Sequence, residues 1–362
     1  MIKKFLCSIN LFIFLAGLIF TASAAGEATA ATIDKTSIHI YARRRTGTYE
    51  EIEKRGYAIW GWTPQMDFRV NGPISEGGQL VVEFAKPDGK AWLKFNCDTG
   101  ATSAGGWWQV KNCGQDLPEE QLARETGLYD LKISLKDELA GKGETLFAGK
   151  VKIGKFFAGG VDPNGKQHFG YYVDYDWRLP IGQIYAREPD EGYEEEFAPL
   201  AASLWFRGDV QGEVSAHLFY KGREISNTKD TSKGTWLGET TISSFDDSKF
   251  NWKQQKFIFT NTLVYNNENP DNHPDAFRLD KNPGEYEIKV LRKGALTRVV
   301  KFTVGANGKI TDNAVAGQNA LGNRRMIVAV QVSGDEDGAK PDLEAWRAGA
   351  FFNNPLKGFS VP

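Results

Sequence analysis

The chain has 362 residues, of which 41% are hydrophobic and 25% are charged, and its formal net charge is -2. This composition is typical of globular domains and excludes wholesale disorder, and the length suffices for two domains that each bury their own core. The near-neutral charge argues against general nucleic-acid binding, which needs a basic surface that displaces counterions from phosphates.

The first 24 residues have the pattern of a secretory signal peptide. Lys3 and Lys4 precede a mostly apolar stretch at 5–20, and residues 21–24 contain an A-x-A cleavage pattern. The apolar stretch is short for a membrane-spanning helix, which favours cleavage over a retained anchor. We therefore expect export to the periplasm or the cell exterior, with no transmembrane segment after cleavage.

A short phrase occurs twice in the chain. Residues 40–43 read Ile-Tyr-Ala-Arg and are followed after five residues by Tyr-Glu-Glu, and residues 184–187 repeat both the phrase and the spacing. Seven identical positions at one spacing indicate an internal duplication.

The repeated phrase has two interpretations. Alternation along a strand puts Tyr41 and Arg43 on one face, and Tyr185 and Arg187 likewise share a face. Each copy could therefore present two tyrosine rings and an Arg-Glu pair to a ligand. The alternative is that Arg43 pairs with the Glu-Glu at 50–51 across a turn and that the tyrosine rings pack the edge of the fold. Since duplication preserves scaffold as readily as site, we favour this structural interpretation.

Short alternating strands dominate the first copy. Candidates lie at 37–43, 66–70, 79–84, 92–96 and 107–111, and Pro-Asp-Gly at 87–89 predicts a turn between two of them. Many short strands with little helical periodicity predict antiparallel sandwiches.

Each copy closes in the same way. Residues 127–133 read Gly-Leu-Tyr-Asp-Leu-Lys-Ile, residues 284–290 read Gly-Glu-Tyr-Glu-Ile-Lys-Val, and a last short strand follows each. This closing pattern resembles bacterial immunoglobulin-like and fibronectin-III-like domains. The resemblance implies that Tyr129 and Tyr286 plug a corner near the end of a sandwich.

The predicted fold is all-β. We expect two tandem antiparallel β-sandwich domains from an internal duplication, at 33–157 and 171–306, and a short C-terminal strand-helix extension at 307–362. The turn-rich segment 157–170 is expected to be the junction, and 171–179 the lead-in strand of the second domain.

Cleavage of the signal peptide leaves two cysteines, Cys97 and Cys113. In an exported protein they favour one disulfide, and the alternative is two buried free thiols.

Tryptophans supply a second candidate site. In an extended segment Trp60 and Trp62 share a face, so that both should be core or both exposed, and Trp107 adjoins another tryptophan. Exposed rings bind sugars by stacking, whereas most large aromatics of a sandwich pack its core.

One segment has partial calcium-loop spacing. Asp335, Asp337 and Glu344 fall at positions 3, 5 and 12 of an EF-hand loop, with Ser333 at position 1 and Gly338 at position 6. Position 1 is normally Asp and a strand precedes the segment, so a solvated turn is the alternative to a Ca²⁺ site.

The sequence lacks the motifs of several common enzyme active sites. The sequence contains no G-x-S-x-G, Walker, G-x-G-x-x-G or H-E-x-x-H motif. A glycosidase needs only two carboxylates, for which Asp174, Asp176 and the glutamates at 194–196 are candidates. A solvated acidic face is the favoured interpretation of these acids.

The favoured function is non-catalytic recognition or structure in the cell envelope, with an envelope protein or a glycan as partner. The first alternative is a carbohydrate-binding module that uses exposed Trp and Tyr rings, and the second is a carboxylate-dependent glycan-active enzyme. No cofactor is expected apart from the candidate Ca²⁺.

Overall fold

A computed structural model describes most of the chain after the predicted signal peptide. The described residues are 31–45, 53–54, 56, 60–74, 77–100, 107–137, 142–186, 199–208, 213–228, 235–241, 250, 252–264, 275–319, 321, 325–334 and 343–362. The predicted signal peptide lies outside them. They form mainly antiparallel β-sheet, which confirms the all-β prediction. Among them, no helix is long and apolar enough to cross a membrane.

The first half consists of two facing sheets. One has the strand order β1-β2-β5, and the other has the order β4-β3-β6-β7-β8. The strands are β1 (Thr32–Arg45), β2 (Gly61–Asn71), β3 (Gly78–Ala85), β4 (Ala91–Cys97), β5 (Trp107–Cys113), β6 (Gly127–Asp137), β7 (Lys142–Val161) and β8 (Gln167–Val173), with a 3-10 turn at Glu119–Gln121. Alternate residues of both sheets point inward, as Ile38, Ile40 and Phe68 do opposite Val82 and Ile133.

The second half repeats this arrangement. Its strands are β9 (Ile181–Ala186), β10 (Pro199–Arg207), β11 (Val214–Tyr220), β12 (Arg223–Asn227), β13 (Thr235–Thr241), β14 (Trp252–Leu263), β15 (Phe277–Arg278), β16 (Gly284–Arg292), β17 (Ala295–Val304) and β18 (Met326–Val332). The remaining elements are 3-10 turns at Asp176–Arg178 and Leu279–Lys281 and the helices α1 (Val315–Gln318) and α2 (Leu343–Asn353).

Strand order matches between the halves. The order β1-β2-β5 corresponds to β9-β10-β14, and β4-β3-β6-β7-β8 corresponds to β12-β11-β16-β17-β18. The halves differ in how they close. The strand β18 pairs with both β17 and β9 and so joins the two sheets of the second half into one. The shared order is what a duplication would leave, and a common origin of the halves stays a prediction.

The segment predicted as the junction is instead a hairpin of the first half. The end of β7 pairs with β8, in a register that places Phe157 opposite Phe169 and Val161 opposite Gln167. The turn is closed by a hydrogen bond from the Asp162 amide to the Lys166 carbonyl, at 2.8 Å. Gly, Pro and Asn accumulate at hairpin turns as they do at linkers, which is why composition misplaced the junction.

Both halves contain the same tyrosine hydrogen bond at the start of the corresponding strands β6 and β16. The hydroxyl of Tyr129 donates to the Glu125 carbonyl at 2.9 Å, and the hydroxyl of Tyr286 donates to the Asn282 carbonyl at 2.6 Å. Both rings are buried. Each bond runs four residues back along the chain, as in the tyrosine corner of immunoglobulin-like sandwiches.

A disulfide joins the two sheets of the first half. Cys97 ends β4 and Cys113 ends β5, which belong to different sheets, and their Cα atoms are 5.1 Å apart. The predicted pairing is therefore present in the structure. It links two strand ends across the open side of the sandwich.

A buried arginine marks the seam between the halves. The guanidinium of Arg178 lies 4.3 to 5.6 Å from the ring centroids of Tyr175, Trp177, Trp205 and Phe352. It donates to the Ile38 carbonyl at 2.8 Å. These rings come from the connection between β8 and β9 (174–180), from β10 and from α2. One cation–π cluster therefore holds together three distant parts of the chain.

The edge of β1 is covered by the same cluster. The Tyr175 hydroxyl accepts a hydrogen bond from the Ile40 amide at 2.7 Å and donates to the Ile40 carbonyl at 2.9 Å. Side chains thus satisfy backbone groups that, at the corresponding strand of the second half, are satisfied by pairing with β18.

Candidate ligand-binding site

The two copies of the repeated tyrosine make different contacts. The Tyr41 hydroxyl donates to the Asp67 carboxylate at 3.2 Å, and burial together with that carboxylate raises the pKa of Tyr41. Tyr185 is buried, its hydroxyl lies 3.0 Å from the Ser203 hydroxyl, and Arg325 stacks on its ring at 4.5 Å. Each hydroxyl is engaged by a neighbour of its own, Asp67 in the first copy and Ser203 in the second.

The arginines of the phrase are only partly described. Arg43 donates to the Gln115 carbonyl at 2.6 Å, a bond between β1 and the turn after β5. Arg187 and the Tyr-Glu-Glu that follows each copy lie outside the described residues. The interpretation that Arg43 pairs with these glutamates therefore stays a prediction.

The three candidate tryptophans do not form a common platform. Trp62 is fully buried in the core beside Tyr129, whereas Trp60 is half-buried and stacks on His168 at 4.7 Å. Trp107 is half-buried under the guanidinium of Arg69, at 4.6 Å. The expectation that Trp60 and Trp62 share one environment is wrong, because β2 begins at Gly61 and only Trp62 lies within the sandwich.

The calcium candidates are mostly outside the described part of the chain. Asp335 and Asp337 fall there, while Glu344 is exposed at the start of α2 and pairs with Arg347. Among the described residues, no group of three His, Cys, Asp or Glu side chains could hold a metal ion.

The acids Asp174 and Asp176 share one lysine. The Lys152 ammonium lies 2.9 Å from the Asp174 carboxylate and 2.8 Å from that of Asp176. Burial, and then the neighbouring Asp174, raise the pKa of Asp176, while the two carboxylates outweigh burial and raise the pKa of Lys152. Lys152, Asp174 and Asp176 thus form a partly buried cluster of three charges just after β8. The remaining candidate acids, the glutamates at 194–196, lie outside the described residues.

A groove of about 810 Å³ lies on the outer face of the five-stranded sheet. Its walls carry two rows of side chains that cross β4, β3, β6 and β7 at the spacing of hydrogen-bonded strands. In the first row, Glu83 is opposite Lys94 and Lys132, and Lys132 is opposite Ala148. These residues alternate with the core residues of the same strands, so they face away from the core.

The second row forms the shallow floor. Ala85 is opposite Ala91 on one side and Asp130 on the other, and Asp130 is opposite Lys150. Ala91 and Ala148 are exposed. Ala85 and Ala91 of this row, together with Ala148 of the first row, therefore leave open space between the longer charged side chains. The groove crosses four strands, a width of roughly 14 Å at 4.7–4.9 Å between neighbours.

The C-terminal segment closes the far end of the groove. Phe351, Phe352 and Asn353 are consecutive left-handed residues, with φ of 45°, 56° and 66°. A non-glycine residue in this conformation costs about 1–3 kcal/mol, which the burial of both phenylalanine rings offsets. The turn places Asn353 and Asn354 at the groove.

The contact between this segment and β7 is close. The Asn354 side-chain amide donates to the Ala148 carbonyl at 3.1 Å. Gly149 allows the approach, because a Cβ at this position would lie 2.7 Å from the Phe352 carbonyl oxygen. The groove therefore depends on a glycine that sequence reasoning did not single out.

The charges of the groove are paired but unequal. Lys94 and Lys132 lie 3.1 and 3.7 Å from the Glu83 carboxylate, and Lys150 lies 2.5 Å from Asp130. Three lysines thus face two carboxylates, and all five side chains are at least one-third exposed.

The matching face of the second half has no such floor. In the same register, Phe219 occupies the place of Ala85 and Val299 that of Ala148, since Phe219 is opposite Glu287 and Val299 is opposite Lys289. The Lys289 ammonium lies 4.7 Å from the centroid of the Phe219 ring. Alanines in one copy stand where the other copy has large outward-facing residues. This difference between the copies is the sequence signal that could have located the groove.

No protein-family model matches the chain, and no curated protein matches it. Among solved structures, the uncharacterized protein lmo2446 from Listeria monocytogenes EGD-e matches with a TM-score of 0.15, 13% identity and 66% of this chain covered. Its complex with α-D-glucose, β-D-glucose, magnesium and calcium matches with a TM-score of 0.14 and 13% identity. In both comparisons the chain spans 20% of the length of that protein.

Proposed function

We propose that this chain is an exported, non-catalytic recognition protein of the cell envelope, built from two immunoglobulin-like sandwiches, which binds its ligand in the groove of the first half. The groove carries the proposal. Its volume of about 810 Å³ lies within the range of about 300–1,000 Å³ that is usual for small-ligand sites.

The contrast between the halves supports a binding role for this face. A scaffold needs no open floor, and the second half fills the corresponding place with Phe219 and Val299. The first half instead keeps alanines there and places the strained C-terminal turn at the end of the groove. Strain of this kind concentrates at functional sites.

The chemistry of the described residues favours binding over catalysis. The carboxylates at the groove, Glu83 and Asp130, are each held by lysine, which lowers the pKa of Glu83 through its hydrogen bond with Lys94. A general acid needs a raised pKa, so Glu83 is poorly suited to donate a proton.

The deciding experiment fills the groove with residues that the second half already uses. The double variant Ala85→Phe, Ala148→Val should bind purified native envelope material at least tenfold more weakly than the wild-type chain. The matched control, Phe219→Ala on the second half, should bind like the wild type. Equal binding by both variants, with both folded by circular dichroism, would place any ligand site elsewhere.

Export has its own test. N-terminal sequencing of the protein recovered from its native cells should begin at Ala25, since the predicted cleavage follows Ala24. Recovery of the protein with Met1 retained would contradict cleavage.

A further inference from the structure

The groove carries an excess of positive charge. Among the side chains that line it, the ammonium groups of Lys94, Lys132 and Lys150 outnumber the carboxylates of Glu83 and Asp130. The hydrogen bond with Glu83 raises the pKa of Lys94. Three ammonium groups therefore face two carboxylates, and an anion placed beside them would balance the excess positive charge.

The second half lacks this excess. On its matching face, Asn227 takes the place of Lys94, because it is opposite His217 as Lys94 is opposite Glu83. The remaining charges of those two rows are Lys289 and Lys301 against Glu224 and Glu287, which balance. The positive excess is thus specific to the half that has the groove.

The position of the groove limits how a ligand can be held. It lies on the face of the sheet, where the backbone groups of β3 and β6 are already used in strand pairing. A peptide that adds as a strand needs a free sheet edge, so this surface does not suit that mode. Binding must therefore use side chains: ammonium groups, two carboxylates and the amides of Asn353 and Asn354.

From this arrangement we infer that the groove binds an acidic oligosaccharide, with a ring carboxylate between Lys94 and Lys132 and its hydroxyls at the asparagine end. The inference rests on the proposed function and names the ligand class for the same groove. The alanine floor admits a sugar chain across the strands. The lysines donate to the carboxylate, while Asp130 can accept from hydroxyl groups.

The test uses isothermal titration with three probes of similar length: an oligogalacturonate, a neutral malto-oligosaccharide and a poly-glutamate peptide. The wild-type chain should bind the oligogalacturonate and neither of the others, and binding should weaken as NaCl rises from 0.05 to about 0.5 M. Lys94→Asn, which introduces the residue of the second half, should weaken binding about tenfold. The control Lys301→Asn should leave it unchanged.

A gain of affinity provides a readout that misfolding cannot mimic. Glu83→Gln removes the carboxylate that competes for Lys94 and Lys132, and it should tighten oligogalacturonate binding a few-fold. A neutral probe that binds as well as the acidic one would overturn the assignment of an acidic ligand. If the double variant Ala85→Phe, Ala148→Val then loses binding of the neutral probe, the proposed function would still stand. Equal binding of poly-glutamate would overturn the assignment to a glycan. Failure of all three probes, while envelope material still binds at the groove, would overturn the ligand class.

Discussion

His39 at the seam between the two halves should make the protein acid-sensitive. Its ring lies edge-on to Trp205, with centroids 6.1 Å apart, close to the guanidinium of Arg178. Burial, and then the positive charges of Arg178, Arg69 and Lys256, lower the pKa of His39 to about 3. The folded chain therefore keeps this histidine neutral at pH values where the unfolded chain protonates it.

The size of the effect follows from the two pKa values. Between about pH 3 and 6.5 the unfolded state binds a proton that the folded state does not, so the free energy of unfolding falls as the pH falls. Each pH unit below 6.5 costs about 1.4 kcal/mol, which gives about 2 kcal/mol at pH 5 and almost nothing at pH 7.5. Above pH 6.5 the stability from this group is fully present.

Urea unfolding at pH 7.5 and pH 5, followed by tryptophan fluorescence, measures this contribution. Because other groups also titrate, the informative quantity is the difference between the wild type and His39→Gln, which should change by about 2 kcal/mol between the two pH values. The control His217→Gln removes a histidine whose ring contacts the Glu224 carboxylate at 3.2 Å and should show no such gain in acid. An unchanged difference for His39→Gln would refute the reasoning.

Three further predictions concern stability. Reduction of the Cys97–Cys113 disulfide, which closes a separation of 16 residues, should lower the free energy of unfolding by about 3 kcal/mol, measured in urea with and without a reductant. Phe352→Ala removes a buried ring and should cost about 3–5 kcal/mol by calorimetry, and similar stability of this variant and the wild type would contradict the packing of the C-terminal segment. Tyr129→Phe and Tyr286→Phe should each cost about 1 kcal/mol in chemical denaturation, and a loss in only one half would show that the two corners are not equivalent.

The general fold could be predicted because its signals are local. Period-two alternation located strands such as β3, and the Gly-x-Tyr pattern located both tyrosines whose hydroxyls bond four residues back. The pairing of Cys97 with Cys113 followed from counting, since only one pair remained. These features depend on neighbouring residues or on a choice with one answer.

The candidate site could not be predicted because its signals are distant. Ala148 and Asn354 are separated by 206 residues and meet only at the edge of β7. The sequence alone allows Trp62 to be an exposed ring for stacking. In the structure β2 begins at Gly61, and Trp62 is buried in the core. Arg178 also gave no sequence signal, because its partners are rings from β10 and α2 rather than nearby acids.

The C-terminal segment packs against the first half of the chain, and this contact limits the order in which the fold can form. Synthesis finishes the strands of the first sandwich long before Asn353 and Asn354 are made, so the groove stays without its end wall until then. Contacts of such long range form late in folding. The groove therefore gains its end wall only when this segment packs against β7, and a chain truncated before Asn353 would present the groove open at one end.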